Sequence, residues 1–172
     1  MLADGQESEA ALLQKNRDVA TIVGFGYEWS RFNQRELDPA ERRRLFDTYF
    51  SIFPWELLPT GGGVGADIGC GSGRWSVLVA PKARRLHLVD ASEDALAVAR
   101  SNLAGAPNVE FHLSSVDSLP FLDNSLDFAF SLGVLHHVPD TFSAISSVAS
   151  KLKPGAPFLL YLYYSFEHRP FW

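Results

Sequence analysis

Asp67-Ile68-Gly69-Cys70-Gly71-Ser72-Gly73 is the stretch on which the fold turns. It closes an apolar run, VGADIG from Val64, and leads into residues with helical spacing. Three glycines therefore fall in a strand-to-helix turn. Glycine permits a tight turn there and lets a ligand approach the main chain closely. A Gly-rich turn of this kind can hold the pyrophosphate of a dinucleotide at the start of a helix. Two residues speak against that ligand. The G-x-G-x-x-G fingerprint needs its third glycine at the position of Arg74, and Asp67 sets a carboxylate at the mouth of the loop. A pyrophosphate would be repelled by it, whereas the ammonium of a methionine-like ligand would be attracted.

Downstream of the turn, strand and helix patterns alternate. Arg74 to Ala80 reads as a helix, RLHLVD as a strand, and Glu93 to Leu103 as a helix capped by Ser92. VEFHLS and LDFAFSL read as the third and fourth strands, Thr141 to Leu152 as a helix, and PFLLYLYY as the fifth strand. Such alternation implies βαβ units, an α/β fold and a mostly parallel sheet flanked by helices. Ligands of these sheets bind beyond the carboxyl ends of the strands. Asp90, followed by Ala91, ends the second strand, where a carboxylate can accept hydrogen bonds from both hydroxyls of a ribose. Its alternative role, capping the next helix, falls better to Ser92. Beyond the third strand comes Ser115-Val116-Asp117. Asp117 can accept from an adenine amino group while the Val116 backbone meets a ring nitrogen; a plain surface turn is the other reading.

DIGCGSG, LHLVDAS, SSVDSLPFLDNSLDFAFSLGVLHHVPD and KLKPGAPFLL together resemble class I S-adenosylmethionine (SAM)-dependent methyltransferases. The likeness runs over roughly residues 64 to 164 and leans toward small-molecule enzymes related to those of ubiquinone and menaquinone biosynthesis. It implies a Rossmann-like core with SAM as cofactor and S-adenosylhomocysteine as product. It further implies contacts by Asp67, Gly69 and Gly71 to the methionine end, by Asp90 to the ribose and by Asp117 to the adenine, with Cys70, Gly73, Ala91, Ser115 and Val116 also among the cofactor-binding residues. Ser131 and Leu132 would then line the methyl-transfer region.

His136 and His137 follow that fourth strand, and His136 is the candidate general base, with a packing role as its competitor. Adjacent residues point different ways, and His87, His112 and His168 lie elsewhere in the sequence, so no metal site is expected. Residues 1–55 read as an N-terminal helical cap or lid, with Asp38-Pro39 starting its second helix. Residues 56–172 read as the SAM-binding core. Between the cap helices, the aromatic stretch Phe25, Tyr27, Trp29, Phe32 packs on the sheet or closes Tyr27 or Trp29 over the cofactor. Arg42, Arg43 and Arg44 read as a solvated helix face.

The formal charge of -5 argues against a broad nucleic-acid surface. One cysteine, Cys70, allows no intrachain disulfide, and no apolar run is long enough to span a membrane. Together these point to a cytoplasmic protein. The family ordinarily adds further strands after the fifth, and this sequence ends soon afterwards, so the sheet reads as truncated. A homodimer through the exposed edge would cover it. The function expected is methyl transfer to a small molecule. A SAM-binding module without turnover is the alternative, and a nucleic-acid methyltransferase a weaker one, since Ser131-Leu132-Gly133-Val134 replaces the usual Asn/Asp-Pro-Pro-Tyr loop.

Overall fold

The computed structural model describes residues 18–20, 22–24, 27 and 38–163. Phe25, Trp29 and Phe32, the first cap-helix positions, Tyr164 and His168 lie outside the described residues.

Helix α1 (Pro39–Tyr49) begins as its sequence suggests: Asp38 Oδ1 accepts from the Ala40 N–H at 3.1 Å, with Pro39 in the first turn. A 3-10 turn at Trp55–Leu57 leads to β1 (Val64–Ile68). Then come α2 (Ser76–Val79), β2 (Arg85–Asp90), α3 (Glu93–Asn102), β3 (Val109–Leu113), β4 (Phe128–Leu132), α4 (Thr141–Lys151) and β5 (Phe158–Tyr161). The sheet order is β3-β2-β1-β4-β5, with every pairing parallel. The order reverses between β1 and β4, which makes the carboxyl ends of those two strands the switch point of a doubly wound sheet.

Each face of the sheet carries its own core. Phe46 of α1, Val79 of α2 and Leu96 of α3 pack with Leu86, Leu88, Phe128 and Phe130 on one side. On the other, Ala144 and Val148 of α4 meet Ala66, Ile68, Val89 and Ala129. Burial on both faces explains why β1 and β4 read as unbroken apolar runs rather than alternating ones.

Two element boundaries differ from the sequence reading. The helix after the glycine turn is short, and Pro81 redirects it into a 3-10 turn at Ala80–Lys82, because proline brings no N–H to a helical ladder. β5 stops at Tyr161. Its last ladder bond runs from Gly133 N–H to Tyr161 O, and Gly133, at φ 76°, turns β4 away. Aromatic residues that precede β1 pack on the sheet as well. Phe50 lies 5.4 Å from Phe130 and Phe53 5.9 Å from Phe128, centroid to centroid, so Phe46, Phe50 and Phe53 belong to the sheet's own core. Among the described residues no helix is long and apolar enough to cross a membrane.

Candidate active site

A cavity of about 350 Å³ opens at the switch point. That is within the range of small-molecule sites. The glycine turn forms its floor. Gly69, Gly71 and Gly73 have φ of 74°, 52° and 71°, a region that favours glycine over any residue with a side chain. Space enforces the same choice: a Cβ on Gly69 would overlap Val134, and one on Gly73 would lie 2.6 Å from Leu103. The turn is thus wedged between the exit of β4 and the end of α3. Gly69 and Cys70 line the cavity, while Gly71 and Gly73 shape the turn behind it. Cys70 is buried, and burial pushes its thiol well above the ordinary range, which leaves it an apolar wall rather than a nucleophile.

Two carboxylates sit beneath this floor and beside it. Asp90, in the cavity wall, accepts from the Gly71 N–H at 2.8 Å and from the Ser92 N–H at 2.9 Å. It therefore staples the glycine turn to the end of β2, and each oxygen keeps a lone pair for another donor. Asp67 is buried directly under the turn and accepts from Ser76 Oγ at 2.6 Å. Burial raises its pKa to about 7, against the hydrogen bond from Ser76, and repulsion from Asp90 adds to the rise. Burial raises Asp90 as well. A cation in the cavity would relieve both groups.

The remaining sequence candidates divide. Ala91, Ser115, Val116 and Leu132 line the cavity. Asp117 stands next to Val116 but is not part of the wall. Ser131 is buried below it, where its Oγ donates to Ile68 O at 2.8 Å and ties β4 to β1. Tyr27 lies on an exposed helical stretch away from the wall, to which Asp18 and Ile22 contribute instead. The two histidines exchange places relative to expectation: His137 lines the cavity and His136 does not. Both ring nitrogens of His136 are enclosed without a hydrogen-bond partner among the described residues, and its ring packs edge-on against Tyr163 at 4.9 Å. Burial lowers its pKa, with His137 adding to the effect.

Sequence reasoning passed over Ser72, Arg74, Trp75 and Tyr163, all in the wall. Ser72 Oγ is buried with no hydrogen-bond partner among the described residues. Arg74 lies over the Trp75 ring at 4.4 Å. Ser72 sits inside the glycine motif and could have been found there; Tyr163 lies past the end of its strand and gave no such signal.

Residues 66–160, more than half of the chain, match the methyltransferase domain family. The chain belongs to this family. Among its relatives, the uncharacterized methyltransferase YcgJ of Bacillus subtilis is 35% identical over 103 residues, 59% of this chain and 41% of YcgJ. The YcgJ crystal structure superposes with a TM-score of 0.55 at 34% identity, covering 58% of this chain and 43% of that one. Phosphoethanolamine N-methyltransferase 2 of Caenorhabditis elegans is 35% identical over 143 residues, 80% of this chain and 31% of that protein. Ubiquinone biosynthesis O-methyltransferase of Xanthomonas campestris is 32% identical over 96 residues, 55% of this chain and 40% of that protein. The chain thus spans less than half the length of these relatives. SAM is the cofactor of a methyltransferase domain of this kind, and the cavity suits it. Buried carboxylates with raised pKa values answer its positive charge, Ser72 Oγ has no partner among the described residues, and Ile68, Val89 and Val116 supply an apolar wall.

Proposed function

We propose that this domain methylates O, N or C of a small-molecule acceptor with SAM as donor. The observation that carries the reading is Asp90, stapled to the glycine turn and facing the same cavity as Ser72, whose Oγ has no partner among the described residues. In this reading the free lone pairs of Asp90 accept the ribose hydroxyls, and Ser115 and Val116 face the adenine, with Asp117 reaching its amino group from outside the wall. Gly69, Ser72 and Arg74 hold the methionine end, the guanidinium meeting its carboxylate. Bound there, SAM supplies a methyl group made electrophilic by its sulfonium.

The protein's own task is placement. Leu132, Val138 and Tyr163 form the side of the cavity that an acceptor would share, and they exclude water from it. His137 is the group within that wall able to take a proton from a hydroxyl or amine acceptor, and His136 supports the Tyr163 ring from behind. The negative formal charge favours small acceptors over nucleic acid. The single buried cysteine fits a reducing, cytoplasmic setting. Half-exposed Tyr161, Leu162 and Tyr163 at the β5 edge support pairing with a second copy; light scattering that finds only monomer at high concentration removes that part of the reading.

The test is transfer of labelled methyl from SAM to panels of small phenols, carboxylates and amines, alongside calorimetry with S-adenosylhomocysteine. Binding with turnover of one class supports the proposal. Binding without turnover across all panels supports a non-catalytic SAM-binding module, and NADH competing at the site overturns both.

A further inference from the structure

Away from the cavity, the register of β2 against β3 sets His87 opposite Glu110 and Val89 opposite His112. Side chains of alternate residues share a sheet face, so His87, Glu110 and His112 converge on one side. His87 Nδ1 lies 2.9 Å from His112 Nε2 and 3.4 Å from Glu110 Oε2, and one ligand atom from each residue lies within 4.8 Å of the other two. None of the three lines the SAM cavity. We propose that His87, Glu110 and His112 form a binding site for one divalent transition-metal ion, zinc in the first instance.

The chemistry of the donors favours this ion. Two imidazole nitrogens and one carboxylate oxygen make a His2Glu set, which holds zinc with a fourth position left for water. Zinc bonds of about 2.0–2.1 Å in tetrahedral geometry hold ligand atoms about 3.3 Å apart, close to the 2.9 and 3.4 Å that separate His87 from His112 and Glu110. The Phe121 ring walls the site at 5.1 Å from His87 and 5.6 Å from His112. Glu110 is oriented from outside. Its Oε1 meets Arg85 at 3.2 Å while Oε2 faces the histidines, as outer-shell partners orient metal ligands elsewhere. Without metal, the two imidazoles share one N–H···N bond. Binding needs only that the donor ring move this proton to its other nitrogen, with no net proton released.

β3 is an edge strand with a half-exposed face, and its pairing with β2 is what holds it. An ion bridging the two strands cross-links them, and the loop after β3 carries Ser114, Ser115 and Val116 into the cavity wall.

Zinc chloride titrated into the chelator-stripped full chain against a chromophoric competitor should report one tight equivalent. Cobalt in its place should give the visible bands of a tetrahedral nitrogen and oxygen site. His112→Gln and Glu110→Gln, both at partly exposed edge positions, should each weaken binding by at least about 100-fold, beyond the upper end of outer-shell effects. Zinc should raise the Tm of the parent chain and not of the variants. Unchanged S-adenosylhomocysteine affinity certifies that the variants are folded. Zinc affinity indifferent to both substitutions, or lost instead in His137→Ala, overturns the proposal.

Discussion

The position of a charge decides what a single residue does in this molecule. Asp67 titrates near 7 because it is buried, so its ionisation is linked to folding and to ligand. The sign follows from the raised value. Asp67 is neutral in both folded and unfolded chains below about pH 4. As pH climbs toward 7 the unfolded chain ionises first, so this group's contribution to stability falls over that window. A cationic ligand reverses the balance by favouring the carboxylate. SAM affinity should therefore rise with pH between about pH 5.5 and 7, approaching about ten-fold per pH unit. Calorimetry in buffers of different ionisation enthalpy counts the released proton, and Asp67→Asn should flatten the profile. Asp90→Ala removes the bond to Gly71 together with the proposed ribose contact. Its S-adenosylhomocysteine affinity should drop about ten- to a hundred-fold, and an unchanged Kd would reduce Asp90 to a structural staple. The position of Asp90 at the cavity was legible in the sequence, because strand ends announce where such a sheet opens, whereas the burial of Asp67 beneath the turn was not. Nor was the choice between His136 and His137. They lie in a 3-10 turn, Leu135–His137, where neither the helical nor the strand period says which ring faces inward.

At the scale of elements, the glycine turn and β4 interlock through Gly69 and Val134. Gly69→Ala introduces a side chain at φ 74° against Val134, and both effects act in one direction. Thermal and urea unfolding should show a loss of about 1–3 kcal/mol. Gly69→Ala with Val134→Ala should recover the steric share and leave the backbone share. Helix α1 and its C-cap residue Phe50 offer a contrast between solvent and core. Phe50, packed on Phe46, Trp55 and Phe130, should cost about 3–5 kcal/mol on truncation to alanine. Arg43, paired with Asp47 in solvent, should cost within about 0.5 kcal/mol in the same urea series. The sequence read the strands well because burial on both faces leaves long apolar runs. It read α1 as part of a separate cap because its aromatic residues do not disclose which partner they will meet. The convergence of His87, Glu110 and His112 was equally hidden: strand periodicity gives faces but not register, and the pairing that joins them exists only between β2 and β3.

For the molecule as a whole, the central place of β1 separates its two neighbours in time. β2 follows it after one short helix, but the bonds to β4 span 63 residues, as in Ser131 Oγ to Ile68 O and Val64 N–H to Asp127 Oδ2. Closing the longer span costs more chain entropy, so the β1–β4 zipper is the later event on any route that builds from local pairs. That same zipper raises the wall from Leu132 to Val138, without which the cavity has no far side. A chain emerging from the ribosome thus holds its glycine turn well before it can grip a ligand. S-adenosylhomocysteine should then act as a latch set after the door has shut. It should slow unfolding in proportion to its occupancy and leave the refolding rate untouched. Stopped-flow urea jumps with and without the ligand read both limbs. Faster refolding in its presence would move the closure of β4 to before the barrier.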